Sequence, residues 1–212
     1  MNILENINKN SYLNYEDNLD SINDFYESNR FDFYPGEANG DEIKGFLDAG
    51  FINEANEERI SGTSLDLELQ EDFKVLKGNE IIDLTKGEKP SYVEMKKHYG
   101  KYWIHPNLFF ITSTKCVFNL PNWLKCQVFL RSSIGRAGVN HMLAGLVDPG
   151  FNGSNLTLEF KNETTNTYLV DKDCYFIQIV FHKIIPVSSK YDYTNTGRHN
   201  NELGTVGCKG VV

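Results

Sequence analysis

The chain has 212 residues, a formal net charge of −8 at pH 7 and 40% hydrophobic residues, which is length and apolar content for one domain with a sizeable core. The acidic balance excludes a large basic face for duplex nucleic acid, so any phosphate must be held by local arginines. No apolar run approaches the roughly 20 residues of a membrane span, and the first residues, MNILENINKN, lack a signal-peptide pattern. The expected protein is cytoplasmic, with neither nucleic acid nor membrane as partner.

Taken in order, residues 1–40 carry eight acidic residues against Lys9 and Arg30, a net of −6, which leaves −2 for residues 41–212. The aromatic residues of this acidic extension, Tyr12, Tyr15, Phe25, Tyr26, Phe31, Phe33 and Tyr34, are too many for a solvated tail. They predict docking on the body or on a neighbouring subunit. Asp41 is placed to cap a short helix, DEIKGFLDAG, with Ile43, Phe46 and Leu47 on one face and Gly50 as its stop. The run SLDLEL then reads as a strand with Leu65, Leu67 and Leu69 inward and Asp66 and Glu68 opposite. Residues 76–102 mix glycines, Pro90 and many charges, which predicts loops with a short helix over VEMKKHYG. Strands resume within 103–130, 154–161 and 167–183. Many short strands with turns between them and little helix point to an all-β barrel or jelly-roll sandwich.

Chemistry concentrates between Gln127 and Lys161. Val128 and Leu130 alternate with Gln127, Phe129 and Arg131, so a strand ends at Arg131 and opens into Ser132, Ser133, Ile134, Gly135 and Arg136. Two hydroxyls, two guanidinium forks and a glycine in six residues suit phosphate oxygens; the same residues would equally cap a short helix and leave both arginines in solvent. A glycine-bounded hairpin around Ala144 and Asp148 follows, where Asp148 before Pro149 and Gly150 is either a turn residue or a catalyst. In NLTLEFK, Leu156, Leu158 and Phe160 share one face and Asn155, Thr157, Glu159 and Lys161 the other. A glutamate in mid-strand needs either solvent or a partner such as arginine.

Cys116, Cys126, Cys174 and Cys208 are widely spaced, there is no C-x-x-C, and no histidine is followed by x-E. The zinc deaminase signature is therefore absent. The four thiols read as buried or free cysteines of a reducing compartment rather than a disulfide framework.

The segments RSSIGRAG, AGLVDPGFNG and LTLEF, in this order, resemble the trimeric deoxycytidine triphosphate deaminases, which share a fold with the trimeric dUTPases. The resemblance extends to ISGTSLDLELQEDFKVL and IHPNLFFITSTKCVFNLPNWL upstream and to GRHNNELGTVGCK downstream, about four-fifths of the chain. It implies a mainly β, dUTPase-like distorted barrel or jelly roll with a short N-terminal helix, assembled as a homotrimer. The chain divides accordingly into the extension 1–40, a deaminase-like β domain 41–190 and a lid 191–212 over the nucleotide.

The resemblance further implies zinc-independent hydrolytic deamination of dCTP to dUTP and ammonia. Without a metal, attack on C4 of cytosine needs a positioned base, because free water has a pKa of about 15.7; Glu159 falls where the family places that proton shuttle. By the same positions, Ser132 orients the attacking water, Arg136 polarises the site, the backbone of Ala144 lines the base pocket, Asp148 receives the 3′-hydroxyl, and Arg131 and Ser133 bind phosphate. Tyr191, Arg198 and Glu202 match lid positions, although glutamate replaces the glutamine of the enterobacterial type. Magnesium rides on the triphosphate instead of a protein cage.

Two spacings depart from the enterobacterial pattern. Arg131 to Asp148 is one residue shorter and equals the dUTPase spacing. Asp148 to Glu159 is one residue longer because of Ser154 and Asn155, an insertion expected in the turn, since inside a strand it would turn Glu159 to the wrong face unless taken up as a bulge. The shortened hairpin keeps open a bifunctional enzyme that continues from dUTP to dUMP, or a dUTPase, although the glycine-rich, Phe-containing dUTPase tail is missing. A silent nucleotide-binding regulator is the remaining reading, and the complete Ser132, Arg136 and Glu159 set argues against it.

Overall fold

The computed structural model describes residues 24, 26, 27, 34–142, 144–171 and 174–210. In chain order its elements are β1 (Gly36–Glu37), α1 (Gly40–Asp48), β2 (Ile52–Asn53), β3 (Leu65–Leu67), β4 (Lys74–Leu76), β5 (Tyr92–Glu94), β6 (Tyr102–Ile104) and β7 (Phe109–Asn119). There follow β8 (Leu124–Leu130), α2 (Ser132–Arg136), β9 (Val139–His141), β10 (Leu146–Val147), β11 (Asn152–Asn162), β12 (Tyr168–Val170), β13 (Ile177–Lys183) and α3 (Tyr193–Thr196). The protein is mainly β, as its alternating sequence predicts.

The strands form antiparallel sheets. One runs β1-β13-β8-β10 with β3 also on β13; the other runs β5-β4-β7-β11-β9 with β2 on β7; β12 and β6 pair separately. One apolar cluster joins residues of both larger sheets, among them Leu65, Leu67, Ile177, Ile179 and Phe181 from the first and Phe110, Phe118, Leu158 and Phe160 from the second. Period-two alternation explains the division: in β13 every second residue from Ile177 to Lys183 is buried. Leu65, Leu67 and Leu69 point inward as expected.

α1 begins two residues earlier than expected, with Asn39 and not Asp41 as its cap. Asn39 accepts from the Glu42 backbone N–H at 3.0 Å while the Glu42 carboxylate accepts from the Asn39 N–H at 3.1 Å, a reciprocal capping box, and Asp41 lies in the first turn. Asn39 prevails because its extended backbone and a glutamate three residues on satisfy two orphan donors at once. Glu42 also meets Lys183 at 2.5 Å, both side chains more than nine-tenths buried, so a single ion pair ties α1 to β13.

The helix expected over VEMKKHYG is absent. Tyr92, Val93 and Glu94 instead pair with Leu76, Val75 and Lys74, and the chain reverses at Tyr99 and Gly100, both with positive φ. A short run lacking caps cannot nucleate a helix against the ladder bonds that β4 offers.

Of the extension's aromatics, Tyr26 is buried with its ring 5.7 Å from that of Trp123, and Tyr34 is exposed. Tyr12, Tyr15, Phe25, Phe31 and Phe33 lie outside the described residues.

Candidate active site

The stretch from His141 to Glu159 is divided between the two sheets. β9 pairs with β11, whereas β10 leaves for β8, with Leu146 opposite Gln127. The chain returns through a tight turn in which the Phe151 N–H donates to the Asp148 carbonyl at 3.2 Å. Pro149 and Gly150 occupy its two central positions, and Gly150 has φ +85°, the combination that a type II turn requires. Gly150 is also needed for space, because a Cβ there would meet Asp192 Oδ1 at 2.0 Å. The turn carrying Asp148 is thus clamped by the α3 segment, whose Tyr193 N–H donates to the Pro149 carbonyl at 3.1 Å.

The extra residue before Glu159 is absorbed inside β11, not in the turn. Register shifts fall between Asn152 and Ser154 and between Asn155 and Thr157. The first leaves Gly153 as the extra residue of β11, and the second puts extra residues on β7; beyond them Leu158 and Phe160 lie in the core and Glu159, opposite Ile111, lies on the other face. The shifts also open the polar edge on which the C-terminal segment docks. The Asn155 amide donates to the carbonyls of Lys115 and Cys116 at 3.1 and 3.0 Å, and its oxygen accepts from the Gly204 N–H at 2.7 Å. Ser154 Oγ accepts from the Glu202 N–H at 2.9 Å and donates to the His199 carbonyl at 2.7 Å. Further along, the Val206 N–H donates to Thr157 Oγ1 at 3.1 Å and the Thr205 N–H to Asp72 at 2.5 Å.

The docked segment roofs a cavity of about 370 Å³ whose lining includes Asp148, Phe151, Asn155, Thr157, Glu159, Tyr193, His199, Glu202 and residues 206–210. Glu159 is its chemical centre. Its Oε2 is buried without a hydrogen-bond partner among the described residues. Withdrawal from water raises its pKa above the usual carboxylate range, with its own backbone N–H pulling weakly the other way. A carboxyl whose pKa is raised by burial in a cavity is suited to take and return a proton.

Glu202 behaves oppositely in the same cavity. Burial alone would raise it, but hydrogen bonds from Lys209 and His199, the latter at 2.9 Å, outweigh this and hold it below the usual range. Its charge is therefore already answered.

The remaining candidates are elsewhere. Arg131 stands at the head of α2 without making a side-chain cap; its Nε lies 3.2 Å from the Asp66 carboxylate, and its guanidinium is 6.0 Å above the Tyr175 ring. Ser132, Ser133 and Arg136 are exposed on the same turn, and none of the four lines the cavity of its own chain. Ala144 is exposed on the loop between β9 and β10. Its neighbour Gly145 borders a second cavity of about 310 Å³ with the buried His141, and Leu146 lines both cavities. Tyr191 is exposed, while Tyr193, two residues on, reaches the cavity. Arg198 donates to the carbonyls of Lys209 and Gly210 at 3.3 and 3.4 Å and stays out of the lining. Sequence reasoning missed His199, Tyr193 and Lys209; the NEL and GCK runs around the tail glycines were the available signal. All four cysteines are free thiols, with Cys116 and Cys126 buried.

A mainly β fold with a half-buried glutamate, its Oε2 unmatched among the described residues, under a C-terminal roof defines a class, and the comparisons give it a family. The dCTP deaminase-like family profile matches residues 38–184. A protein of Methanosphaera stadtmanae named "dCTP deaminase, dUMP-forming" is 33% identical over 178 residues, covering 78% of this chain and 88% of its own. One of the same name from Persephonella marina is 31% identical over 156 residues, 71% and 83% of the two chains. In fold, the chain is similar to the 2′-deoxycytidine 5′-triphosphate deaminase of Agrobacterium tumefaciens, with a TM-score of 0.56 at 17% identity over 70% of this chain and 48% of the other. This chain belongs to the dCTP deaminase-like family, a family of hydrolases.

Proposed function

We propose that the protein converts dCTP to dUMP in two hydrolytic steps, and so belongs with the dUMP-forming members instead of stopping at dUTP. The observation that carries this is the meeting of Asp148 and Glu159 on one cavity, reached with the short Arg131–Asp148 spacing of the dUTPases. The names of the relatives favour the same alternative.

In the first step Glu159 accepts a proton from water as the oxygen attacks C4 of cytosine. It delivers that proton to N3, then assists the departure of ammonia; the products are dUTP and ammonia. Ser132 orients the water and Arg136 steadies the carboxylate. In the second step Asp148, which also receives the 3′-hydroxyl, directs a water at the α-phosphorus, and the bond to the bridging oxygen breaks to release pyrophosphate and dUMP. Arg131 and Ser133 hold phosphate oxygens, and the backbone at Ala144 meets the base. The active form is a homotrimer in which the Arg131 turn of one copy serves the cavity of the next, because that turn does not line its own. The segment 191–212, with Tyr191, Arg198 and Glu202, closes over the nucleotide and keeps bulk water out. Magnesium, carried by the triphosphate, neutralises phosphate charge. No group of three or more His, Cys, Asp or Glu among the described residues is placed to cage it.

The test is to incubate the purified protein with magnesium and dCTP, or with dUTP, and to resolve products by chromatography. Ammonia, dUMP and pyrophosphate from dCTP are expected. Accumulating dUTP would instead identify a deaminase that stops after the first step, and pyrophosphate from dUTP alone would make Asp148 the sole catalyst.

A further inference from the structure

Among the described residues lining the cavity, three carboxylates stand against a single lysine and no arginine: Asp148, Glu159 and Glu202 against Lys209. A nucleotide triphosphate entering such a space meets repulsion from the lining of its own chain, which magnesium and the neighbouring copy's Arg131 reduce and a cation of the tail reduces further. The tail arginine is not placed to be that cation in this arrangement: Arg198 lies outside the lining, where its Nη2 donates to the carbonyls of Lys209 and Gly210 at 3.3 and 3.4 Å. What it does is fix the backbone that bears Lys209. The Lys209 ammonium is itself bound to Glu202 and to the Arg198 carbonyl, which uses two of its three donors. Glu202 has a second partner, His199 at 2.9 Å, so it is not left bare if the lysine departs.

We infer that Lys209 is the tail residue that binds the nucleotide's phosphates, and that Glu202 is its resting counter-ion. The assignment rests on the nucleotide reading above, but not on turnover. An ammonium on a flexible four-carbon stem exchanges one acceptor for another without leaving the cavity that it lines. On triphosphate binding Lys209 passes from the Glu202 carboxylate to a phosphate oxygen, and Glu202 keeps His199. The glutamate thus lowers triphosphate affinity by competing for the lysine and does not itself contact phosphate. A simple staple, in which the Lys209–Glu202 pair merely holds the tail down, would behave differently, because breaking it from either side would weaken binding.

The experiment is calorimetric binding of α,β-imido-dUTP, which can be neither deaminated nor cleaved at that bond, and of dUMP. Lys209→Ala is expected to weaken the triphosphate analogue about tenfold or more, the scale of one charge-assisted hydrogen bond, while sparing dUMP. Lys209→Arg should retain most of the affinity, and Glu202→Gln should tighten the analogue. Weakening by Glu202→Gln comparable to that by Lys209→Ala would overturn the proposal in favour of a staple, as would equal losses for dUMP and the analogue. A wild-type protein that binds neither ligand overturns both this assignment and the proposed function. Lys209-dependent binding without ammonia release overturns the function alone.

Discussion

Glu42 and Glu159 are both withdrawn from solvent, and the difference between their surroundings separates structure from chemistry in this protein. Glu42 closes the capping box of α1 and meets Lys183 at 2.5 Å. Glu159 has a buried Oε2 that nothing among the described residues answers. Taking a carboxylate from water costs several kcal/mol on the order of its Born penalty after relaxation, and a partner with good geometry recovers it. At the α1–β13 seam Glu42 has such a partner in Lys183, and the pair staples the helix to the sheet. Beneath the tail the Glu159 Oε2 has no such partner among the described residues, and burial leaves the acid with a raised pKa.

The sharpest way to break this comparison is to neutralise each acid. Glu159→Gln is expected to bind nucleotide and to lose deamination by roughly 10²- to 10⁴-fold, the range of general acid–base catalysis. Undiminished ammonia release would place the proton shuttle elsewhere. At the other site, Lys183→Met leaves Glu42 buried without its cation. It should cost about 3–5 kcal/mol in denaturant unfolding, with turnover per folded molecule unchanged. A loss well below this would mean that the seam readmits water.

Asn155 tests the ground between the two regions, since its amide satisfies two carbonyls and its oxygen receives the tail. Asn155→Ala is expected to destabilise by about 1–3 kcal/mol and to admit proteolysis after residue 199 before the core unfolds. Cleavage no faster than in the wild type would show that the other tail contacts suffice.

The smallest effect is one of pH. The folded-state pKa of Glu159 lies above its unfolded value, so the folded protein binds more protons in between and loses stability as pH rises through that interval. Glu159→Gln should therefore be more stable than the wild type at neutral pH, with the advantage vanishing at acid pH where both states are protonated. Parallel unfolding curves at every pH would show that the acid is matched after all.

Much of this was legible beforehand. Hydrophobic alternation located β3, β8, β11 and β13, because a two-residue period survives in any strand with one buried face. Asp148, Glu159 and Glu202 were found as candidates from their motifs, and they do share a cavity. The helix over VEMKKHYG failed because local periodicity carried no information about the free edge of β4, and Asp41 lost the cap to Asn39 because two neighbours offered nearly the same chemistry. Tyr193 and Lys209 line the cavity and Tyr191 and Arg198 do not, and no repeating pattern in the tail marks which side chains face inward.

By itself the amino-acid sequence determined the class of fold and the family resemblance and marked Glu159 as a candidate acid, since all three rest on residue types at short, regular spacings. The tertiary structure alone decided that the extra residue before Glu159 becomes a bulge in β11, the strand that holds the tail, that Glu202 is already neutralised, and that Lys209 is the lysine at the cavity. The first depends on contacts between segments tens of residues apart, and the other two on how the tail folds back on itself over three to seven residues, where geometry and not pattern chooses the partner.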